Sequence, residues 1–167
     1  MSDKFDGAVY RKGDAGYEEA RRGHMWNARI PDRYPEVIVQ AGSEQDAIRG
    51  VNLAKREGLR IAVRSGGHSW AANFLREGGM LLDVGRLQEW SINIPAKTAW
   101  VRPGVIGSDL NRALRAHGLF FPTGHCTTVG LGGFLLQGGF GWNSRLWGPA
   151  CASVSAIDVV TADGDLV

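Results

Sequence analysis

Two glycine-flanked loops hold the residue types that could do chemistry. The first is Arg64-Ser65-Gly66-Gly67-His68-Ser69. Adjacent glycines leave main-chain N–H groups unshielded, and a turn there can form an anion-binding nest suited to a pyrophosphate. No strong helix start follows the loop, so a phosphate would be held by loop amides alone. The competing reading is a plain glycine turn with a polar tip, in which His68 is an ordinary hydrogen-bonded loop histidine.

The second loop runs Pro122-Thr123-Gly124-His125-Cys126-Thr127-Thr128-Val129-Gly130-Leu131-Gly132-Gly133 and continues to Gly138-Gly139-Phe140-Gly141. Glycines at this density let backbone lie against a flat ligand, and Thr127 and Thr128 supply hydroxyl donors. The dinucleotide fingerprint G-x-G-x-x-G is absent, because counting from Gly130 and Gly132 puts Leu135 where the last glycine should fall. Cys126 on its own reads as a small hydrophobe. A serine-hydrolase reading competes for the first loop, since Gly67-His68-Ser69-Trp70-Ala71 follows a strand and nearly matches the nucleophile elbow. Its weakness is Trp70–Arg76, too short and too soon broken by Gly78-Gly79 for the supporting helix.

The elements that would position these loops follow from periodicity and punctuation. Residues 1–33 have weak periodicity and many charges, and read as an N-terminal extension with one helix around Tyr17–Met25. Val37-Ile38-Val39 is a short apolar strand. Ser43 offers an N-cap with Asp46 three residues on, apolar residues from Ala47 to Ala54 share a helical face, and Gly58 suits the position after the helix. Arg60–Arg64 is a second strand. Strand, helix and strand in this compass form a βαβ unit with parallel strands. Met80–Val84 and Thr98–Arg102 read as further strands, and Ser108 as the cap of a second helix ended by Gly118. Ser155–Thr161 reads as a strand and Ala162–Asp165 as a hairpin turn. The sequence stops at Val167, where the return strand should begin.

Composition narrows the function classes. The 167 residues suit one domain with a real core. Lys and Arg total 19 against 17 Asp and Glu, and they are scattered rather than striped, which argues against nucleic acid as a partner. No apolar run approaches the roughly 20 residues of a membrane span. The polar Met1–Asp6 start does not read as a secretory signal. Cys126 and Cys151 form no CxxC pair, so neither a disulfide framework nor a zinc site is expected, and two free thiols point to a cytoplasmic protein. Glycine stands out, at 24 residues against an average near 7%.

Taken in order, the motifs are more specific than any one of them. R-S-G-G-H-S after a strand, then G-H-C-x-T-V-G-x-G-G with further paired glycines, resembles the berberine bridge enzyme-like branch of the vanillyl-alcohol oxidase and p-cresol methylhydroxylase superfamily. The resemblance extends from Tyr34 to Val167. It includes Arg33-Tyr34-Pro35, Val101-Arg102-Pro103-Gly104 and the closing Asp158-Val159-Val160-Thr161-Ala162-Asp163-Gly164. It implies that Arg64, Ser65, Gly66, Gly67, His68 and Ser69 cradle the pyrophosphate of FAD, with His68 bonded to the C8-methyl of the flavin ring. It implies that Cys126 bonds to the ring's C6 position, and that Thr127, Thr128, Val129, Gly130, Gly132, Gly133, Gly138 and Gly139 lie along the cofactor. Thr127 stands where many relatives carry proline, and Gln137 replaces a common glycine. A valine at position 129 accompanies oxidases in this family, and bulkier residues accompany dehydrogenases.

The expected fold is therefore α+β, a PCMH-type FAD-binding domain of two small subdomains, about 34–94 and 95–167, with FAD between them. The expected activity is an FAD-dependent oxidase taking hydride from a C–H bond of an alcohol, sugar or amine-bearing metabolite, with dioxygen as acceptor. Rival readings are a serine hydrolase using Ser69 and a flavin-binding module without turnover. Family members continue into a substrate domain that supplies the pocket and typically the catalytic base. That domain is expected on the same or a partner chain, and without it this piece is expected to be catalytically idle. Asp83, Asp109 and Asp158 sit in ordinary strand or capping positions, and none is nominated as a base.

Overall fold

The computed structural model describes residues 4–167. Its central element is a four-stranded sheet in the order β1-β2-β4-β3, from β1 (Ala8–Arg11), β2 (Val37–Gln40), β3 (Ile61–Arg64) and β4 (Met80–Asp83). β2 and β3 are parallel as expected, but β4 lies between them and pairs with both in parallel, Val37 and Ile61 both opposite Met80. Every residue of β2 and β4 is buried. That is why each opens with three apolar residues in a row, Val37–Val39 and Met80–Leu82: a central parallel strand is covered on both faces.

The alternation along these strands divides the core in two. Val37, Val39, Met80 and Leu82 point to one face, where α2 (Glu44–Glu57) covers them with Ala47, Leu53 and Ala54. Ile38 and Leu81 point to the other, where Tyr17, Ala20, Phe74 and Leu75 cover them. The Ser43 hydroxyl accepts from the Asp46 amide at 3.2 Å and caps α2, and Gly58 ends it in the left-handed region.

The stretch before Tyr34, read from sequence as an extension, is built into this unit. β1 pairs antiparallel with β2, and α1 (Tyr17–Arg22) contributes Tyr17 and Ala20 to the core. Four residues of strand and six of helix carry too little periodicity to be read without the partner they pack on.

A second unit holds the hairpin of β5 (Trp90–Asn93) and β6 (Thr98–Val101) with α3 (Gly107–Arg115) and α4 (Leu131–Leu136), around Val105, Leu110, Leu114 and Leu131. The hairpin straddles the boundary expected at Ile94. Ser108 is not the cap of α3. Ile106 holds that position, and the Ser108 hydroxyl donates to the Thr127 carbonyl at 2.6 Å. The glycine-punctuated stretch also holds α5 (Ser144–Trp147) and a 3-10 turn at Ala150–Ser153.

Ser155–Thr161, expected as a strand, forms only a bridge between Val160 and Leu166. Val159 and Val167 exchange main-chain hydrogen bonds of 2.8 and 2.9 Å, so the turn is present while the ladder is not. Ile157 and Val159 are exposed, and a short two-stranded ribbon by itself is barely stable. Val160 packs against the first unit's core, and Lys55 of α2 pairs with Asp163 at 3.1 Å.

Candidate functional site

Both loops meet at the carboxyl ends of β3 and β4, where open α/β sheets generally bind ligands. β3 alternates outward Val63 with inward Ala62 and Arg64, so Arg64 lies beneath the loop rather than in it. Its guanidinium is fully buried. It pairs with Asp83 at 2.7 Å and donates to the Ala20 and Arg21 carbonyls at 2.8 and 3.1 Å. Its Nε is buried with no partner among the described residues. Arg64 therefore ties the end of β3 to β4 and α1, a structural position instead of the expected phosphate contact. Burial pushes the Asp83 carboxyl up, but His24, Arg64 and the Gly85 amide together hold it below the usual carboxylate range.

From Ser65 the chain turns across the sheet edge. The Ser65 hydroxyl donates to the Pro103 carbonyl at 2.6 Å. Gly67 has φ +69°, and a Cβ there would collide with the His24 carbonyl. Among the described residues the amides of Gly66, Gly67, His68 and Ser69 have no protein acceptor. Free amides on successive residues are what an anion nest requires.

The second loop is stitched to the segment that enters α3. Gly107 donates to Val129, Leu131 to Val105 and Gly132 to Pro103, at 3.1, 2.8 and 2.9 Å. This sets Thr128 against the first loop, with His68 Nε2 3.0 Å from Thr128 Oγ1. Burial lowers the His68 pKa, only partly offset by the Thr128 contact, which favours the neutral imidazole. The Cys126 thiol is free and exposed two residues from Thr128.

A cleft of about 240 Å³ lies at this junction, lined by Ser65, Gly66, His68 and Thr128 from the expected set. It is completed by His24, Met25, Trp26, Gly85, Gln88, Gly104 and Ile106. The first three come from the stretch read as an extension. No local motif marks them, although a buried Arg64 seeking carbonyls on α1 is the kind of contact that brings them there. The rest of the expected set, Arg64, Gly67, Ser69, Cys126, Thr127, Val129, Gly130, Gly132, Gly133, Gly138 and Gly139, is not among the cleft-lining residues. Gly138 and Gly139 accept from Cys151 and Ala150 and hold the 3-10 turn, and Gly133 faces open space on α4.

Ser69 gives the hydrolase reading no support. Its Oγ accepts from the Asn73 amide at 3.3 Å, no helix follows it, and His68 is turned to Thr128. Among the described residues no three metal-capable side chains cluster, and no helix is long and apolar enough to cross a membrane.

A glycine-lined cleft beside loop amides without protein acceptors, with His68 in its wall and an exposed thiol on the neighbouring loop, fits a flavin-binding domain. Residues 35–167 match the family of FAD binding domains, and the chain belongs to that family. It is 40% identical over 150 residues to the FAD-linked oxidoreductase nodO of Hypoxylon pulicicidum, covering 90% of this chain and 33% of that protein. It superposes on 6-hydroxy-D-nicotine oxidase of Arthrobacter nicotinovorans with a TM-score of 0.90 and 30% identity, over 100% of this chain and 36% of that one. A berberine bridge enzyme-like protein of Physcomitrella patens gives 0.87 and 32%, over 97% and 35%. The grass pollen allergen Phl p 4, a glucose dehydrogenase, gives 0.87 and 30% over 95% and 34%. A Phl p 4 variant with one isoleucine replaced by valine is a glucose oxidase. The chain thus spans about a third of the length of the relatives it matches.

Proposed function

We propose that this chain is the flavin half of an FAD-dependent oxidase, with FAD bonded through His68 and Cys126. The observation that carries this reading is the meeting of the two loops. Thr128, two residues beyond Cys126, hydrogen-bonds His68 at 3.0 Å beside the cleft whose loop amides have no protein acceptor. The amides of Gly66–Ser69 would hold the pyrophosphate, and the bonded side chains would fix the ring so that hydride acceptance needs no further orientation. His68 and Cys126 would hold the ring, each giving up a proton on attachment, and the flavin would supply the two-electron redox chemistry.

The flavin supplies hydride acceptance from a substrate C–H bond and electron transfer to dioxygen. The substrate class is an alcohol, sugar or amine-bearing metabolite, a range supported by the nicotine and glucose enzymes of the same fold. Choice within that class, and the catalytic base, belong to the part of the relatives that this chain does not span. Dioxygen as acceptor rests on the family resemblance at Val129; in Phl p 4 one valine-for-isoleucine exchange likewise accompanies oxidase activity. Of the two rival readings, the flavin module without turnover is the one that bleaching by substrate would separate from an enzyme. A cytoplasmic location is proposed from the sequence, which carries two cysteines and no CxxC pair.

Intact mass of the denatured full-length protein tests the attachment. The expected result is one FAD added to the chain, on peptides containing His68 and Cys126. Complete release of flavin into the acid supernatant overturns it. Bleaching of the yellow colour by a sugar or amine panel under nitrogen then separates an enzyme from a module.

A further inference from the structure

We propose that Trp26 is the positioning residue for His68, its indole fixing the plane of the imidazole that carries the flavin. The proposal rests on the attachment reading above. The two rings are stacked, with centroids 5.5 Å apart and planes 24° from parallel. The segment that brings Trp26 there is tied to the His68 loop at several points. The Trp26 amide donates to the Gly67 carbonyl at 3.2 Å, and Asn27 Nδ2 donates to the Trp70 carbonyl at 2.9 Å. The Trp26 ring also lies 5.5 Å from that of Trp70. At Gly67 the backbone comes so close to His24 that no side chain fits between them.

Trp26 has no role in holding the core. It is 45% exposed and belongs to none of the three apolar clusters. An indole left half in water while stacked on an imidazole is a costly use of the side chain unless the partner's orientation matters. Two contacts set that orientation. Stacking on Trp26 fixes the ring plane, and the Thr128 hydroxyl at Nε2 fixes rotation within the plane. A nucleophile already aligned reacts faster at unchanged binding, since the entropy of alignment is spent in folding. Stacked aromatic pairs favour this geometry beyond their area burial.

The test uses the full-length protein prepared flavin-free and mixed with FAD, following the mass of the His68 peptide with time. Trp26→Leu retains bulk without a ring face, and Trp26→Phe retains a ring. At saturating FAD, Trp26→Leu is expected to attach flavin at His68 on the order of tenfold more slowly. Trp26→Phe is expected to stay within about twofold of wild type. In the flavin-free protein, histidine-labelled NMR should show the His68 ring protons displaced by an aromatic ring current in wild type and Trp26→Phe, and not in Trp26→Leu. Attachment in Trp26→Leu as fast as in Trp26→Phe overturns the proposal alone. A wild-type His68 peptide that never gains flavin overturns the attachment reading, and this proposal with it.

Discussion

Gly66 and Gly130 lie backbone to backbone. A Cβ on Gly66 would stand 2.5 Å from the Gly130 nitrogen, and one on Gly130 would stand 2.9 Å from the Gly66 Cα. Neither obstacle is a flexible side-chain end, so neither can swing aside. The contact sets the spacing of the His68 and Cys126 loops, and with it the geometry of everything proposed for the site.

Gly130→Ala should therefore force the loops apart, destabilising the protein by about 1–3 kcal/mol as overpacking does and lowering its flavin content. Gly133→Ala is the matched contrast, because a Cβ there meets nothing within 4 Å. It should be neutral or stabilising by up to about 1 kcal/mol, since alanine is the better helix residue. Denaturant midpoints and flavin absorbance report both. Flavin loss in Gly133→Ala at full stability would put that glycine against the cofactor after all.

Removing one member of the buried Arg64–Asp83 pair should cost about 3–5 kcal/mol, because the other charge is left uncompensated. Asp83→Asn and Arg64→Met are the variants to measure. The pH dependence follows from the depressed Asp83 pKa. Its stabilisation is fully present above the unfolded value near 4 and is lost as pH falls through the lower folded value. Urea midpoints of the wild type should drop in that acid range, and those of Asp83→Asn should drop less.

His68→Ala and Cys126→Ala should each leave one flavin attachment, and the double variant should release FAD on denaturation. Ser69→Ala should be mild; total loss of activity with FAD still bound would revive the hydrolase reading. The lowered His68 pKa gives a sign for pH as well. Above the ordinary 6.5 the imidazole is neutral in both folded and unfolded chains and contributes nothing to stability. Below it the unfolded chain takes up the proton first, so folding weakens as pH falls to the folded value. Attachment at His68 should hold its rate down to that value and decline beyond it, as peptide mass against pH would record.

Val129→Leu should slow reoxidation of the reduced flavin by about tenfold or more while changing reduction by substrate less than about twofold, because a dense interior has no spare room for dioxygen. Val129 is half-buried on the loop that carries Cys126, and Gly124 leaves the space beside it free of a side chain. Stopped-flow reoxidation of the full-length protein decides it. A wild-type flavin that stays reduced for minutes in air-saturated buffer would falsify the oxidase assignment.

What the sequence alone determined was local. The apolar runs at 37–39 and 80–82, the Ser43 cap, the Gly58 stop and the two glycine loops carry their own signals, since strand burial, capping and backbone freedom each depend on a few neighbouring residues. The order of the motifs carried the family as well. Tertiary structure decided what depends on partners distant in the chain. β4 sits between β2 and β3 because an apolar strand gains most where both faces are covered. Arg64 left the loop for the interior once Asp83 and two α1 carbonyls were there to receive it. Residues 8–33 became a strand, a helix and a wall of the cleft, because so short a segment acquires its structure from the sheet and loop it is packed against.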